Sequence, residues 1–250
     1  MLDKLKNFHN RDLAWSAARL RTLPIYSAYW VHRRILSALR KKRGTVHGDL
    51  LDVGCGSKPY KPLFQDHVKR HFGIEYGAPE GYGYESNQAD VFGDAAELPF
   101  ASASFDTILC TEVLEHVIEP EKVVGEFFRV LRPGGTILCT APFVYPVHDA
   151  RDFYRYSAQG MEALLSRHGF YVDEVIPLSG TGLTLAIMLN LYWFEIGFMW
   201  NKWLYPFGLV LRPLLWLLTG LVNMLGWLLE KLLPSTHMSF NHLAVARKPA

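Results

Sequence analysis

The chain has 250 residues, of which 50% are hydrophobic and 20% charged, and its formal net charge is +2. This length and composition exclude a disordered or fibrous protein and favour one α/β domain with an added segment. The charge is uneven, because residues 1–48 contain 11 Lys and Arg against two Asp, whereas residues 49–250 are net negative. A basic front segment fits an anionic membrane surface or an acidic substrate, and also a solvated helix face.

Cysteine usage and the amino terminus indicate the compartment. Cys55, Cys110 and Cys139 have no pairing spacing and lie in or beside apolar runs, so we predict reduced core thiols. Residues 1–10 lack the apolar stretch of a signal peptide. These features predict a cytoplasmic protein, and the absence of a nucleic-acid-binding motif predicts no nucleic-acid partner.

The chain begins with two predicted amphipathic helices within residues 11–43, interrupted at Pro24. A buried strand at 49–53 follows and ends at the turn Gly54-Cys55-Gly56. Glycines at such a turn let backbone N–H groups approach a ligand that a Cβ would hold off. The position of a third glycine is taken by Pro59, which argues against an NAD-linked oxidoreductase.

Three acidic residues lie at or just after the ends of predicted strands near this turn. Asp52 precedes the glycines and suits a cationic or amine-bearing ligand. Glu75 ends the next predicted strand, where a carboxylate can accept hydrogen bonds from both hydroxyls of a ribose. Asp94 follows a short strand and can accept a hydrogen bond from an adenine amino group.

Strands and helices alternate over the rest of this region. Helices are predicted at 59–68, 121–131 and 158–168, and strands at 71–76, 104–111, 136–142, 171–177 and 241–247. Such alternation predicts an α/β fold with a doubly wound, mostly parallel sheet, which binds ligands at the carboxyl ends of its strands.

Several short motifs recur in a recognisable order. They are Leu51-Asp52-Val53-Gly54-Cys55-Gly56, Gly93-Asp94-Ala95-Ala96-Glu97-Leu98-Pro99-Phe100, Ser104-Phe105-Asp106, Val113-Leu114-Glu115-His116-Val117 and Val130-Leu131-Arg132-Pro133-Gly134-Gly135. With these motifs, residues 50–142 resemble class I S-adenosylmethionine-dependent methyltransferases of the type 11 group, which includes quinone-biosynthesis enzymes. The resemblance implies a seven-stranded Rossmann-like methyltransferase fold and S-adenosylmethionine as the cofactor.

The resemblance also implies roles for individual residues. The turn from Asp52 to Gly56, including Cys55, would hold the methionine end and ribose, Glu75 the ribose hydroxyls, and Asp94 with Ala95 the adenine. Thr111 and Glu112 would line the floor below the sulfonium. Glu115 and His116 match a family signature and are interpreted mainly as helix-start and packing residues. No metal site is predicted.

The segment 142–157 follows a strand and is expected to lie over the reactive methyl group. His148 is the predicted general base toward an acceptor hydroxyl, oriented by Asp149 or Asp152. Arg151 and Arg155 can hold an anionic group of the acceptor. The alternative is a loop held together by its own Asp–Arg pairs. The segment resembles one in methyltransferase-like proteins of surface-polysaccharide and lipid pathways, which favours an O-methyltransferase.

Residues 183–233 form a hydrophobic segment before the last strand. It holds five charged residues and five of the seven Trp, and two helices hinged near Tyr205-Pro206 would each be long enough to cross a bilayer. Arg212, Thr219, Asn223 and Glu230 fall on one narrow stripe of the second helix. A helical hairpin within one leaflet, two full crossings, and a lid or dimer interface without membrane contact remain open.

The sequence therefore divides into four predicted segments: 1–48, basic helices; 49–182, a cofactor-binding core; 183–233, a membrane-associating insertion; and 234–250, the final strand and tail. We predict a methyltransferase at the cytoplasmic face of a membrane that O-methylates a lipid-linked, glycan or other amphiphilic acceptor. The alternatives are C-methylation of a prenylated quinone precursor and a non-catalytic, S-adenosylmethionine-binding membrane scaffold.

Overall fold

The computed structural model describes residue 23 and residues 28–77, 88–201 and 208–250, and gives the backbone alone at 194–201 and 208–212. The first predicted amphipathic helix and the Tyr205-Pro206 hinge lie outside the described residues. The chain divides into two compact units. One contains residues up to 34 together with 179–239, and the other contains 35–178 together with 240–250.

The described elements alternate over most of the chain. The helices are α1 (Tyr29–Lys42), α2 (Lys61–Phe64), α3 (Pro120–Val130), α4 (Ala158–Arg167), α5 (Thr181–Asn201) and α6 (Gly208–Leu232). The strands are β1 (Asp49–Val53), β2 (Arg70–Glu75), β3 (Val91–Phe92), β4 (Phe105–Thr111), β5 (Leu131–Pro142), β6 (Tyr171–Pro177) and β7 (Asn241–Arg247).

The strands form one seven-stranded sheet in the order β3-β2-β1-β4-β5-β7-β6. The first five strands of the chain pair in parallel, and β7 runs antiparallel to both β5 and β6. The predicted doubly wound, mostly parallel sheet is therefore confirmed. The strand order reverses between β1 and β4, the place where open α/β sheets bind their ligands.

The central strands of the sheet are buried on both faces, whereas the edge strands β3 and β6 are partly exposed. All five residues of β1 are buried, as expected for a parallel strand that helices cover on both sides. Helix α3 contributes Val123, Val124 and Phe127 to the same core, and all three are fully buried. Their spacing places them on one helical face.

Strand β5 begins earlier than predicted. The run Arg132-Pro133-Gly134-Gly135 suggested a turn before a strand at 136, but β5 begins at Leu131, which pairs with Phe105. The register shifts between Phe105 and Thr107. This irregularity lets the Pro-Gly-Gly run continue as strand, and Gly134 adopts a positive φ of 77°.

Helices α5 and α6 pack against each other in the other unit. A Cβ on Gly226 would lie 2.4 Å from the Ala186 Cβ, and one on Gly182 would lie 2.9 Å from the Leu229 Cβ. Small residues thus let the two backbones approach closely. Near the middle of the pair, the buried Asn190 donates a hydrogen bond to Asn223 Oδ1 at 2.9 Å.

Of the polar stripe predicted on α6, the side chain of Arg212 lies outside the described part of the structure, and the other three residues can be placed. Thr219 is 8% exposed and Asn223 1% exposed. Glu230 accepts hydrogen bonds from Arg34 and from the Gly180 N–H. Thr219 and Asn223 are therefore shielded from water, and the Glu230 side chain is 19% exposed. Within the described residues, one helical stretch, Pro213–Leu232, is long and apolar enough to cross a bilayer by length and composition.

Candidate active site

A cavity of about 530 Å³ lies at the carboxyl ends of the central strands. This volume is within the range of small-molecule and cofactor sites. Its lining includes six residues predicted to bind the cofactor, namely Gly54, Gly56, Glu75, Asp94, Ala95 and Glu112. Residues far apart in the chain meet here because parallel strands end at one edge of the sheet.

The turn after β1 has the backbone shape that glycine permits. Gly54 has a φ of 68° and Gly56 a φ of 49°. A Cβ on Gly54 would lie 2.3 Å from the Val113 Cγ2, so a larger side chain would be strained by both its backbone and its neighbour. The Gly54 N–H also donates to the Ile74 carbonyl at 2.9 Å. The turn is thereby held against β2.

Glu75, at the end of β2, connects the glycine turn after β1 to the end of its own strand. Its Oε2 accepts a hydrogen bond from the Gly56 N–H at 2.8 Å, and its Oε1 accepts one from the Tyr76 N–H at 3.1 Å. A carboxylate oxygen has more than one lone pair, so these bonds leave acceptor capacity for ligand hydroxyls. Glu75 thus lines the cavity with free acceptor capacity, and its binding of the ribose hydroxyls stays a prediction.

Asp94 and Ala95 line the cavity beyond β3. Asp94 Oδ1 accepts a hydrogen bond from the Ala96 N–H at 2.8 Å, which fixes the local turn and leaves Oδ2 for a ligand. The glycine turn, Glu75 and Asp94 thus supply close backbone approach and two acceptors. These groups fit the nucleoside part of S-adenosylmethionine.

Asp52, Cys55 and Thr111 do not line the described cavity. Asp52 is 1% exposed, and its Oδ2 is 2.9 Å from His71 Nε2. Burial raises the pKa of Asp52, and the hydrogen bond with His71 opposes that rise. The carboxylate therefore links β1 to β2. Burial likewise raises the pKa of the Cys55 thiol to about 12, which makes it a core residue rather than a nucleophile.

Glu112 occupies the floor of the cavity after β4. It adopts a φ of 56°, and its carboxylate accepts hydrogen bonds from Thr140 Oγ1 at 2.6 Å and from Asn241 Nδ2 at 2.7 Å. Burial raises its pKa although both bonds favour the charged form. A non-glycine residue in a left-handed conformation is typical of functional sites.

The segment 142–157, which was predicted to bind the acceptor, contains residues that line the cavity and residues that do not. Asp149 and Arg151 line the cavity, whereas His148, Asp152 and Arg155 do not. The Asp152 side chain is fully buried and accepts hydrogen bonds from Arg155 and from the His148 backbone N–H. Burial alone would raise its pKa, but these bonds outweigh burial and lower it to about 2.

His148 lies next to another histidine, His116. Its ring packs edge-to-face against His116 with centroids 5.1 Å apart, and its Nδ1 is 3.0 Å from Asp152 Oδ2. Burial lowers the pKa of His148, and the Asp152 charge partly opposes this. The predicted orientation of His148 by Asp152 is thus present in the geometry, while its role as a base stays a prediction.

His116 is the cavity residue to which the sequence interpretation gave no chemical role. It lines the cavity from a short 3₁₀ turn, Leu114–His116, and its Nδ1 is hydrogen-bonded to the Arg151 carbonyl. The neighbouring Glu115 is fully buried, and neither carboxylate oxygen has a hydrogen-bond partner in the described structure. Burial and the nearby Glu112 raise its pKa well above the usual range. The motif Val113-Leu114-Glu115-His116-Val117 was the sequence feature from which a role for His116 in the site could have been predicted.

Known proteins resemble this chain over the same region. A methyltransferase domain family matches residues 51–139. A relative in Mycolicibacterium smegmatis, named as a probable S-adenosylmethionine-dependent methyltransferase, is 30% identical over 166 residues, which cover 62% of this chain and 65% of the relative. A ubiquinone biosynthesis O-methyltransferase of Pseudomonas fluorescens is 30% identical over 186 residues, which cover 62% of this chain and 75% of that protein.

Solved structures share the fold. The Haemonchus contortus phosphoethanolamine N-methyltransferase 2, in complex with S-adenosyl-L-methionine, superimposes with a TM-score of 0.51 at 20% identity, over 86% of this chain and 52% of that one. The sheet order, the glycine turn and these relatives agree. The chain belongs to the class I S-adenosylmethionine-dependent methyltransferases.

Proposed function

We propose that this protein transfers a methyl group from S-adenosylmethionine to an oxygen of a lipid-linked, glycan or other amphiphilic acceptor at the cytoplasmic face of a membrane. The observation that carries the proposal is one cavity that is lined both by predicted cofactor residues and by residues predicted to bind the acceptor. The glycine turn, Glu75 and Asp94 line it together with Asp149 and Arg151.

The cofactor supplies an electrophilic methyl group on a sulfonium, so the protein mainly positions its substrates. Correct positioning alone can lower a barrier by roughly 7–11 kcal/mol. Glu75 and the Gly54–Gly56 turn would orient the nucleoside, and the Glu112 carboxylate would face the positive charge from the cavity floor. Arg151 would bind an anionic group of the acceptor.

An acceptor hydroxyl must lose its proton during the transfer. His116 lines the cavity, and the ring of His148 packs edge-to-face against it, with Nδ1 3.0 Å from Asp152 Oδ2. We assign the removal of this proton to His116 and His148, with Asp152 orienting His148. Arg155, bonded to Asp152 and to the Tyr145 carbonyl, would hold the loop that carries His148.

The α5–α6 pair supports a membrane location. Core helices of water-soluble proteins are mostly buried, but only 22% of the apolar stretch Pro213–Leu232 is buried. Large apolar side chains such as Leu217 and Met224 are each 60% exposed. A contiguous exposed surface of this kind is typical of contact with lipid or another protein. Its partner here is proposed to be the bilayer.

Radiolabelled cofactor tests this proposal. Native membranes are incubated with labelled S-adenosylmethionine and the full chain, and the lipid and glycan fractions are counted. We expect one fraction to gain label with the wild type and none with Gly54→Val. If purified protein binds the cofactor but no fraction gains label, the protein is a scaffold and the proposed activity is wrong.

The alternative acceptor is a ring carbon of a prenylated quinone precursor. Carbon methylation does not require a hydroxyl to be deprotonated, so it would not depend on His148. With the labelled product in hand, His148→Ala is expected to lose most turnover if the acceptor is an oxygen. Full turnover in that variant would favour C-methylation.

A further inference from the structure

We infer that Glu115, His116 and His148 form a binding site for a single divalent transition-metal ion, of which Zn²⁺ is the best match, at the acceptor side of the cavity. The inference goes deeper into the proposed function, because the ion would take an oxygen of the acceptor as a further ligand. The three side chains each offer one ligand atom, and these atoms lie within 4.8 Å of one another.

Glu115 is the strongest reason for an ion. Its side chain is fully buried, both its oxygens lack a hydrogen-bond partner in the described structure, and Oε1 is 3.7 Å from His116 Nε2. A buried carboxylate without a partner is costly, and such groups normally bind a cation or a hydrogen-bond donor. One unpaired oxygen thus lies within 4.8 Å of a ligand atom of each of the two imidazoles.

Both imidazoles are oriented as metal ligands are. His116 Nδ1 is bonded to the Arg151 carbonyl, and His148 Nδ1 faces Asp152 Oδ2 at 3.0 Å and the Pro146 carbonyl at 3.3 Å. An acceptor oxygen at Nδ1 fixes the proton there and leaves Nε2 with its lone pair. This arrangement of a carbonyl or carboxylate behind each ligating histidine is the usual outer shell of a metal site.

The donor set indicates which ion binds. Two imidazole nitrogens and one carboxylate suit Zn²⁺ and related ions rather than Mg²⁺ or Ca²⁺, which prefer oxygen ligands. Three protein ligands leave a position open, as catalytic zinc sites do. His148 is on a loop with its side chain 38% exposed, so a small rotation can close the cluster around the ion.

The coordination position that the protein leaves open would face the cavity. His116 belongs to both the cluster and the cavity wall, so an ion there would adjoin the acceptor. A hydroxyl bound to a metal ion loses its proton to solvent more readily than a free hydroxyl does. Under this inference His148 acts on the acceptor through the ion.

Calorimetric titration of the EDTA-treated full chain with ZnCl₂ tests the inference, without cofactor or acceptor. We expect one ion per chain and, with Co²⁺ instead, the visible absorption of a low-coordinate site. His148→Ala and Glu115→Gln should each weaken Zn²⁺ binding by more than the roughly 10–100-fold expected for the outer-shell variant Asp152→Asn. The exposed His237→Ala and Glu162→Gln serve as matched controls and should bind as the wild type does.

His148→Ala decides the outcome if Glu115→Gln fails to fold, because His148 lies on a partly exposed loop. Absence of stoichiometric binding, or unchanged affinity in His148→Ala, would overturn the inference. The result is independent of methyl transfer, since no methyl donor is present. A protein that binds no zinc but methylates its acceptor would disprove the metal site alone, and the reverse would disprove the activity alone.

Discussion

The sheet unit and the α5–α6 pair place their polar and apolar residues in opposite ways. In the sheet unit, side chains such as Leu51, Ile108 and Phe127 are fully buried. In the helix pair, Asn190 and Asn223 are 1% exposed, whereas Leu217 is 60% exposed. The first pattern is that of a core in water, and the second is the one expected if the exposed apolar face of the pair contacts lipid, as we propose. One chain therefore contains a sheet unit with a buried apolar core and a helix pair with an exposed apolar face, and we propose that this face contacts lipid.

The largest expected effect comes from charging the exposed face of α6. Lysine at the centre of a membrane helix costs about 2.5–3.5 kcal/mol per residue. Leu217→Lys, Leu221→Lys and Leu228→Lys combined, at residues 60%, 49% and 42% exposed, should abolish sedimentation with phospholipid vesicles. Tyr171→Lys, on β6 and equally exposed at 62%, is the control and should still sediment. If the triple variant still sediments with the vesicles, the proposal that the exposed face of α6 contacts lipid is wrong.

A change in the glycine turn should affect cofactor binding and leave sedimentation with vesicles unchanged. S-Adenosylhomocysteine at about a hundredfold excess over its Kd should stabilise the wild type by about 2.7 kcal/mol in thermal unfolding. Gly54→Val should lose this stabilisation because its side chain would collide with Val113, yet it should sediment with vesicles normally. Gly44→Val is the control, since a Cβ there meets nothing within 4 Å. Retained stabilisation in Gly54→Val would exclude the turn from the cofactor site.

An ion pair at the base of β1 makes the stability of the sheet unit depend on pH. Asp106 accepts hydrogen bonds from the Asp49 N–H at 2.8 Å and from Arg132 at 2.6 Å. Burial opposes ionisation, but these bonds prevail and lower the pKa of Asp106. A lowered pKa stabilises the fold above the unfolded value of about 3.9, and this contribution is lost as pH falls through the folded value.

Asp106→Asn should therefore lower the free energy of unfolding at pH 7 by about 1.5–3 kcal/mol, the usual contribution of a hydrogen bond to a charged group. Its stability should also fall less steeply than that of the wild type below about pH 4. Denaturant unfolding at several pH values measures both effects. Asp66→Asn, at an exposed position, is the control, and identical pH profiles for wild type and Asp106→Asn would contradict the assignment.

The smallest effect is expected at the centre of the helix pair. Asn190→Leu removes the hydrogen bond to Asn223, and such bonds between membrane helices contribute about 0.6–1.7 kcal/mol. Unfolding in detergent should show a loss of this size, while the exposed Leu189→Ala should show little. A gain in stability for Asn190→Leu would indicate that the pair is better packed without its buried amides.

The sequence predicts local features of this protein well. The glycine turn is one such feature, because its φ angles are set by residues adjacent in the chain. Strands β6 and β7 have the predicted bounds, since each is a continuous run of strand-forming residues between turn signals. The helical period likewise placed Thr219, Asn223 and Glu230 on one stripe of α6, but it could not indicate that the stripe faces another helix.

Contacts between distant segments account for what the sequence could not predict. Asp52 directs its carboxylate to His71 on the neighbouring strand instead of toward the cavity, and only the strand pairing determines this. Glu115 and His116 looked like packing residues because the loop that brings His148 to them lies 32 residues further on. Proximity of that kind depends on the path of a loop, which no local pattern encodes.

The central claim is that the cavity beside the Gly54–Gly56 turn binds S-adenosylmethionine. Calorimetric titration of the folded wild-type chain with S-adenosylhomocysteine tests it most directly. Binding of one molecule per chain, weakened at least about tenfold by Glu75→Ala through loss of a charged hydrogen-bond acceptor, is the predicted result. Absence of binding to well-folded protein would contradict the account of the cavity and of every step built on it.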